Sequence, residues 1–344
     1  MKADSAVSTN YLERVADPAS RFHPYYVAYK NGQITRTQLL ARLPHVAMVG
    51  DSLSRDAYIS SALGTFWRAH TRRGRDWFLD TDLASGSIYS VFKRLERFTP
   101  LVATEYGGMG ALVDRAGDRR NFFRRILRTR NFSAQVDQIL SSTRFPDLIL
   151  VWIGHNNVDW AWCCPPDELQ RPEKRLQRLS KCFRNDYTQQ IRRLIAGAQT
   201  RQHRVAIVVY GLVDFESFFK ARKLAETVRE QNPRLYPYLG ADFRYFISMR
   251  PTYRQNLIRL TRMVNEELRA MTGQLEPELK GAKHVQVRYS DALAKVDLGR
   301  VEVIHPVDAW HPSTEGHRTF AEAAFNGLAP SLEFLGITPA SSDF

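Results

Sequence analysis

Short, mostly apolar runs recur along the chain, and each is followed by polar residues or glycine. Runs of this length suit buried strands and are too short for core helices. They occupy residues 45–50, 101–105, 147–153 and 204–210, while residues 284–289 alternate apolar and polar positions, as a further strand would. The sequence therefore predicts five strands.

The stretches between these runs carry apolar residues at the three- and four-residue spacing of amphipathic helices. Helices are predicted over residues 34–43, 54–69, 133–142, 172–198, 253–271 and 314–328. Strands that alternate with helices along a chain indicate a parallel sheet that is covered on both faces. We therefore expect an α/β fold.

The chain is expected to form one domain, because no segment rich in proline, glycine and serine divides it into halves. This domain is predicted over residues 44–330, after an N-terminal arm with a short helix over residues 1–43. Residues 331–344 are expected to be a C-terminal tail. An aromatic-rich insertion covers residues 213–250, and connections of such length are more often functional than neutral. We expect a lid over a substrate there, with additional core packing as the alternative.

Residue types that suit acyl transfer stand at two places in this pattern. Ser52 follows the first strand, where a side chain projects above the carboxyl edge of a parallel sheet, and the predicted helix after it would turn backbone N–H groups toward an oxyanion. Serine needs an adjacent base to act as a nucleophile. His311 can be that base, because Asp308, three residues earlier, can orient its ring.

Two further segments could stabilise an oxyanion. Residues 154–157 (GHNN) follow the most apolar strand, and the side-chain amide of Asn156 can donate a hydrogen bond there. Residues 107–110 (GGMG) follow the second strand, where glycine allows a backbone N–H to approach a substrate closely. Each signal alone is weak, since turn asparagines and carboxylate–histidine pairs are common in structural roles. Their joint order at strand ends indicates a serine hydrolase site.

With these segments the sequence resembles the SGNH, or GDSL, hydrolase superfamily. The matching segments are residues 50–53 (GDSL), 105–110 (EYGGMG), 154–157 (GHNN) and 308–312 (DAWHP). The resemblance implies a flavodoxin-like three-layer α/β/α sandwich with a central parallel five-stranded sheet. It also implies Ser52 as the nucleophile, His311 as the base and then the acid, and Asp308 as its orienting partner.

The resemblance also implies an oxyanion hole. Its donors would be the backbone N–H of Ser52, the backbone N–H of Gly110 and the side chain of Asn156. The sequence departs from the family pattern at two positions. Glu105 stands where an asparagine usually opens the glycine segment, so Gly108 is the alternative to Gly110. Asn157 stands where the family has an aspartate that is usually a supporting residue.

The activity implied is that of a serine ester hydrolase, a carboxylesterase or lipase-like acyl hydrolase that acts through an acyl-enzyme on Ser52. Residues 50–55 (GDSLSR) also resemble polysaccharide O-acetyltransferases, so an acyltransferase with the same three residues is one alternative. A non-catalytic binding protein on this scaffold is the other. We expect no cofactor. We also expect no metal, because no cysteine or glutamate cluster accompanies the regularly spaced His305, His311 and His317.

Aromatic side chains close in sequence to the expected site, or in the insertion, are candidates for the substrate pocket. They are Trp160, Trp162, Trp310, Phe215 and Phe218. The aromatic insertion and the basic charge of the chain favour a lipid, or another acyl ester with an anionic head, as the substrate. A small soluble ester or an O-acylated glycan is the alternative.

Composition adds less than the motifs. The 344 residues are 44% hydrophobic and 25% charged, which excludes long disorder, and the net charge is +13. The arginine-rich residues 119–130 could contact an anionic membrane surface, whereas nucleic acid is not expected because no recognition motif is present. No apolar run approaches the roughly 20 residues of a membrane span, and the first residues have no apolar core. We therefore expect a cytoplasmic location, with export by another route left open.

Overall fold

The apolar runs form the central sheet in the computed structural model of the chain. The structure describes residues 4–61, 67–72, 74–81, 88–113, 131–158, 183–236 and 251–337. Its strands are β1 (Asp4–Val7), β2 (His45–Gly50), β3 (Asp56–Ser61), β4 (Trp67–Arg72), β5 (Val102–Glu105), β6 (Leu148–Trp152), β7 (Val205–Tyr210) and β8 (Val285–Ser290). Every predicted strand is therefore present, within a few residues of its predicted bounds.

Six of these strands form the main sheet in the order β1-β5-β2-β6-β7-β8. The last five pair in parallel, and all residues of β2, β6 and β7 are buried, as expected for strands covered on both faces. β1 pairs antiparallel with β5 at the edge. The predicted α/β fold with five parallel strands is confirmed, and the N-terminal arm adds the sixth strand.

Two groups of helices flank the sheet. The helices are α1 (Tyr11–Ala16), α2 (His23–Lys30), α3 (Arg36–Leu40), α4 (Val91–Glu96), α5 (Phe132–Ser141), α6 (His155–Val158), α7 (Arg184–Thr200), α8 (Phe215–Gln231), α9 (Pro251–Glu278), α10 (Thr314–Asn326) and α11 (Ala329–Leu335). In one group α7 contacts both α5 and α9; in the other α10 contacts α4, and α11 contacts β7. No helix within the described residues is long and apolar enough to cross a bilayer.

The strand order fixes where a site can form. β2 lies between β5 and β6, so the chain first crosses to one side of β2 and then to the other. In open α/β sheets, ligands bind at this reversal, outside the carboxyl ends of the strands. The segments that leave β2, β5 and β6 there are residues 51–55, 106–113 and 153–158.

The helix predicted over residues 54–69 is wrong. A 3₁₀ turn, Ser52–Ser54, leads instead into a hairpin in which β3 pairs with β4 and Tyr58 lies opposite His70. Aromatic and β-branched residues favour strands, and the cross-strand pairing partner cannot be read from local periodicity. Residues 62–66 lie outside the described part. The turn after Ser52 therefore lacks the long helix whose N-terminus was expected to face an oxyanion.

Part of the aromatic insertion is a regular helix. Asp214 caps α8 by accepting hydrogen bonds from two backbone N–H groups of its first turn, and Phe215, Phe218 and Phe219 are buried. Residues 237–250 lie outside the described part, so the lid stays a prediction. Residues 172–182 of the predicted 172–198 helix, and the arginine-rich residues 119–130, also lie outside it.

Both ends of the described chain pack onto the rest. The arm forms α1 to α3 around a small apolar cluster. This cluster consists of Tyr11, Val15, Phe22, Leu39 and Leu43. At the other end α11 extends past residue 330, and Leu332 is buried. The packed structure therefore reaches beyond the helix that sequence periodicity places at residues 314–328.

Candidate active site

Ser52 lies in the 3₁₀ turn directly after β2, largely buried. Asp51 caps this turn by accepting a hydrogen bond, at 3.1 Å, from the backbone N–H two residues on. Gly50 has no room for a side chain, because a Cβ atom would lie 2.1 Å from Ser54 Oγ. Gln135 of α5 holds the Gly50 peptide groups, accepting from the N–H at 2.9 Å and donating to the carbonyl at 2.8 Å. The turn that carries the hydroxyl is therefore tightly fixed.

Asp308 and His311 meet within one loop between β8 and α10. His311 Nδ1 lies 2.6 Å from Asp308 Oδ2, and both residues are buried. The other carboxylate oxygen accepts the backbone N–H groups of Trp310 and His311 at 2.9 and 3.1 Å. The loop is closed by a hydrogen bond from His305 N to His311 O at 2.7 Å. The carboxylate thus fixes one ring nitrogen of His311, with Nε2 on the opposite side of the ring.

Asp308 stays ionised although it is buried. Burial alone would raise the pKa of this carboxyl, but the charge of His311 and the hydrogen bonds that it accepts outweigh burial and lower its pKa to about 2. One of these bonds comes from the hairpin, where Ile59 N donates to Asp308 Oδ2 at 2.8 Å. A negative charge is therefore available to stabilise a protonated His311.

Ser52 and His311 line the same pocket, together with Asn156. In the part of the chain that the structure describes, no hydrogen bond joins Ser52 Oγ to the His311 ring. Catalytic hydrogen bonds are often long before a substrate binds. The nucleophile and base candidates therefore share one space without a preformed bond between them.

The oxyanion-hole candidates come from two segments: Asn156 lines the pocket with Ser52, whereas Gly108 and Gly110 are not among the described lining residues. Asn156 Nδ2 donates to Ala111 O at 3.1 Å, which fixes the amide at the pocket wall. Gly108 N donates to Gly50 O at 3.1 Å, so that N–H is already used to hold the two turns together. Gly110 has a φ of +65°, which favours glycine. The N–H of Gly108 is therefore already engaged, and the backbone donor at Gly110 stays a prediction.

Asp51 and His155 form a second buried carboxylate–histidine pair, to which sequence reasoning gave no role. His155 Nδ1 lies 2.9 Å from Asp51 Oδ2, and the same oxygen accepts the backbone N–H groups of Gly154 and His155. Val213 N donates to His155 Nε2 at 3.4 Å, which places the ring proton on Nδ1. The pair ties the turn that carries Ser52 to the turn that carries Asn156. The sequence signals this pair only by position, because Asp51 directly precedes Ser52 and His155 directly precedes Asn156.

Comparison with protein families decides the classification. The family model described as GDSL-like Lipase/Acylhydrolase matches residues 46–324. The chain belongs to this family. The superfamily predicted from the four short segments is therefore confirmed, and membership of the GDSL family supports an ester-hydrolysing enzyme.

Solved structures similar to the chain include two lipases. An extracellular lipase from Streptomyces rimosus is 14% identical, with a TM-score of 0.44, over 83% of this chain and 99% of that one. The lipase Lip_vut3 from a goat rumen metagenome is 11% identical, also with a TM-score of 0.44, over 83% of this chain and 97% of that one. A comparison with curated proteins gives no match.

Glu105, the first departure from the GDSL pattern, belongs to a buried ion pair. Arg55 Nε lies 2.8 Å from Glu105 Oε1, and Arg55 Nη1 donates to Gly107 O at 3.1 Å. Burial raises the pKa of the Asp76 carboxyl to about 7. Arg55 therefore connects the nucleophile turn to the glycine segment that follows β5.

Asn157, the second departure from the GDSL pattern, is buried and has a structural contact. Its Oδ1 accepts the backbone N–H of Val113 at 3.1 Å, which joins the segments after β5 and β6. Gly154, at the start of the same motif, has a φ of +132°, and a Cβ atom there would lie 3.1 Å from the ring of Phe183. The motif thus needs its glycine for the turn, and Asn157 for the connection.

Three of the aromatic pocket candidates line the pocket: Phe215 and Phe218 from α8, and Trp310 beside His311. Trp160 and Trp162 lie outside the described residues. Sequence reasoning missed most of the apolar lining because it comes from segments far apart in the chain. These residues are Leu53, Val213, Leu298, Val303, Ile304, Pro312 and Phe320.

The three regularly spaced histidines have separate environments. His305 stacks on Tyr58, with ring centroids 4.4 Å apart, and burial lowers the pKa of His305 to about 4. His317 is fully buried in α10, and burial lowers its pKa to about 3. Across the described residues, no group of three or more histidine, cysteine, aspartate or glutamate side chains could hold a metal ion. Of the three, His311 alone lines the pocket with Ser52.

Proposed function

We propose that the protein is a serine ester hydrolase that acts through an acyl-enzyme on Ser52. The observation that carries this proposal is one pocket lined by Ser52, by Asn156 and by His311, whose ring is held by the ionised Asp308. In this proposal the three supply the nucleophile, an oxyanion donor and an oriented base that acyl transfer requires, all lining one space.

In the first half of the reaction, His311 Nε2 takes the proton of Ser52 Oγ as the oxygen attacks the ester carbonyl carbon. The negative charge that develops on the carbonyl oxygen is met by Asn156 Nδ2 and by the backbone N–H groups of Ser52 and Gly110. The tetrahedral intermediate collapses as the carbon–oxygen bond to the alcohol breaks. The protonated His311 gives its proton to the departing alcohol oxygen, and Asp308 stabilises the imidazolium until then.

In the second half, water takes the place of the alcohol. His311 removes a proton from the water, whose oxygen attacks the acyl carbon, and the same donors hold the oxyanion. Collapse releases the carboxylic acid and returns the proton to Ser52 Oγ. The turn at Ser52 is a 3₁₀ turn of only three residues, so it has no helix dipole to stabilise the oxyanion. The individual N–H donors must therefore stabilise it by themselves.

A fluorophosphonate probe tests this assignment. It should label the wild-type protein on the peptide that contains Ser52, because the probe reacts with serines that an adjacent base activates. His311→Ala should abolish the labelling. His203→Ala is the matched control. His203 Nε2 lies 3.3 Å from Asp147 Oδ1, at the amino ends of β6 and β7, whereas the pocket lies at the carboxyl ends of the strands. Labelling that survives in His311→Ala, or that maps to another residue, would overturn the assignment.

The hairpin contact to Asp308 predicts a shifted pH profile. Ile59→Pro removes the N–H that Asp308 accepts, and proline is tolerated where a strand N–H points away from its paired strand. With one donor fewer, the pKa of the Asp308 carboxyl should rise from about 2, so kcat/KM should begin to fall at a higher pH on the acid side. Ile59→Val keeps the N–H and should leave the profile in place. If Ile59→Pro folds and its pH profile is also unchanged, the hydrogen bond from Ile59 to Asp308 has only a structural role.

A further inference from the structure

The pocket at Ser52 is small. Its free volume is about 30 Å³. One water-sized group needs roughly 10–15 Å³ of such space, so the pocket accepts about two or three non-hydrogen atoms. An acetyl group has three: the carbonyl carbon, its oxygen and the methyl carbon. Longer acyl chains would have to extend out of this space or displace its wall.

The wall is packed so that it resists displacement. The rings of Phe218 and Trp310 meet edge to face, with centroids 5.2 Å apart, and Phe215 packs against both. Behind Trp310, the buried guanidinium of Arg222 lies 5.2 Å from the centroid of its ring. On another wall Phe320 packs against Trp152 of β6 at 4.9 Å. Because these rings are supported from behind by the core, the pocket cannot widen without moving the core.

The lining also shows which half of an ester suits this pocket. The acyl group stays bonded to Ser52 after the alcohol has left, so it can occupy a closed space, whereas the alcohol needs a way out. The lining beyond Ser52, His155, Asn156 and His311 is apolar or aromatic, and none of the described lining residues is lysine, arginine, aspartate or glutamate. An apolar methyl group fits such a lining, and an anionic head group does not.

We propose that the enzyme acts on esters of short acyl groups and prefers acetyl esters, with the acetyl methyl group in the pocket formed by Phe215, Phe218 and Trp310. This inference rests on the proposed function and adds the acyl specificity of the same site. It favours an O-acetylated compound over a lipid with long acyl chains as the substrate.

A chain-length series tests the proposal. kcat/KM of the wild type should fall at least about tenfold from p-nitrophenyl acetate to the butanoate, and further to the octanoate, because one misfitting methylene can cost about tenfold or more. Phe218→Ala should raise the butanoate-to-acetate ratio at least about tenfold, and Phe218→Leu, which removes less volume, should raise it less. Phe145→Ala is the matched control: Phe145 is as buried as Phe218, but its ring packs on His203 and does not line the pocket. Its ratio should match the wild type.

A second series holds the acyl group constant. Acetate esters of ethanol, cyclohexanol and naphthol should differ less in kcat/KM, after allowance for leaving-group reactivity, than the acyl series does. The inference would be overturned if the wild type hydrolysed the octanoate as fast as the acetate. It would also be overturned if Phe218→Ala or Phe218→Leu folded and kept the wild-type butanoate-to-acetate ratio. Neither result would contradict the proposed function. Absence of turnover with every ester, together with absence of fluorophosphonate labelling, would overturn the proposed function itself.

Discussion

Replacing Ser52 with alanine should lower kcat for p-nitrophenyl acetate by at least about 10⁴-fold, because Ser52 carries the only hydroxyl or thiol among the described lining residues. The oxyanion donors proposed at Asn156 and Gly110 would still polarise a bound carbonyl, so slow attack by water would set the residual rate. Affinity for a non-hydrolysable ester analogue should change little, since the substitution removes one oxygen atom from a fixed turn. Steady-state kinetics with an analogue competition assay measure both quantities.

Ser54→Ala is the matched control for this substitution. Ser54 lies in the same 3₁₀ turn, is fully buried, and donates from Oγ to Trp152 O at 3.3 Å. Loss of that hydrogen bond should reduce the free energy of unfolding by about 1 kcal/mol and leave kcat within a few-fold of the wild type. If Ser52→Ala and Ser54→Ala had similar activities, the hydroxyl at Ser52 could not be the nucleophile.

Replacing Asp308 with asparagine should produce the second-largest effect, a fall in kcat of about 10³- to 10⁴-fold with little change in KM. The substitution keeps the size of the side chain but removes the negative charge that faces His311 Nδ1 at 2.6 Å. An amide cannot stabilise the imidazolium as a carboxylate does, and its NH₂ group can favour the tautomer with the proton on Nε2. That tautomer cannot accept the proton of Ser52.

Asp56→Asn makes the same chemical change nearby. Asp56 is buried at the start of β3, and burial raises the pKa of its carboxyl, but it contacts neither His311 nor Ser52 in the described structure. Its variant should keep kcat within a few-fold. Circular dichroism and thermal melting of both variants separate a catalytic loss from unfolding. Equal losses in the two variants would show that the Asp308–His311 contact does not matter for catalysis.

The sequence predicts those parts of the fold that depend on local pattern. The strands β2, β6 and β7 can be predicted because all of their residues are buried, which leaves continuous apolar runs. The hairpin of β3 and β4 cannot be predicted from local sequence, because its stability comes from strand pairing and from contacts with distant segments. Tyr58, for example, lies on a position that fits helical spacing, yet its ring stacks on His305. A local pattern cannot distinguish these two environments.

The candidate site likewise has contacts that local sequence predicts and contacts that it does not. Asp308 and His311 are three residues apart, so their contact can be expected from spacing alone. The hydrogen bond from Ile59 to Asp308 and the ion pair of Arg55 with Glu105 join segments that only the fold brings together. The pocket wall is the extreme case, since its residues come from the turn after β2, from α8, from the loop after β8 and from α10. No spacing rule connects these segments before the sheet order is known.

The acyl-enzyme itself is the most direct test of the central claim. The wild-type protein is mixed with p-nitrophenyl acetate, quenched in acid during the first turnovers, digested and examined by mass spectrometry. We predict one acetyl group on the peptide that contains Ser52, transient in the wild type and absent in Ser52→Ala. Rapid hydrolysis by Ser52→Ala, or a transient acetyl group on a different residue, would contradict the account.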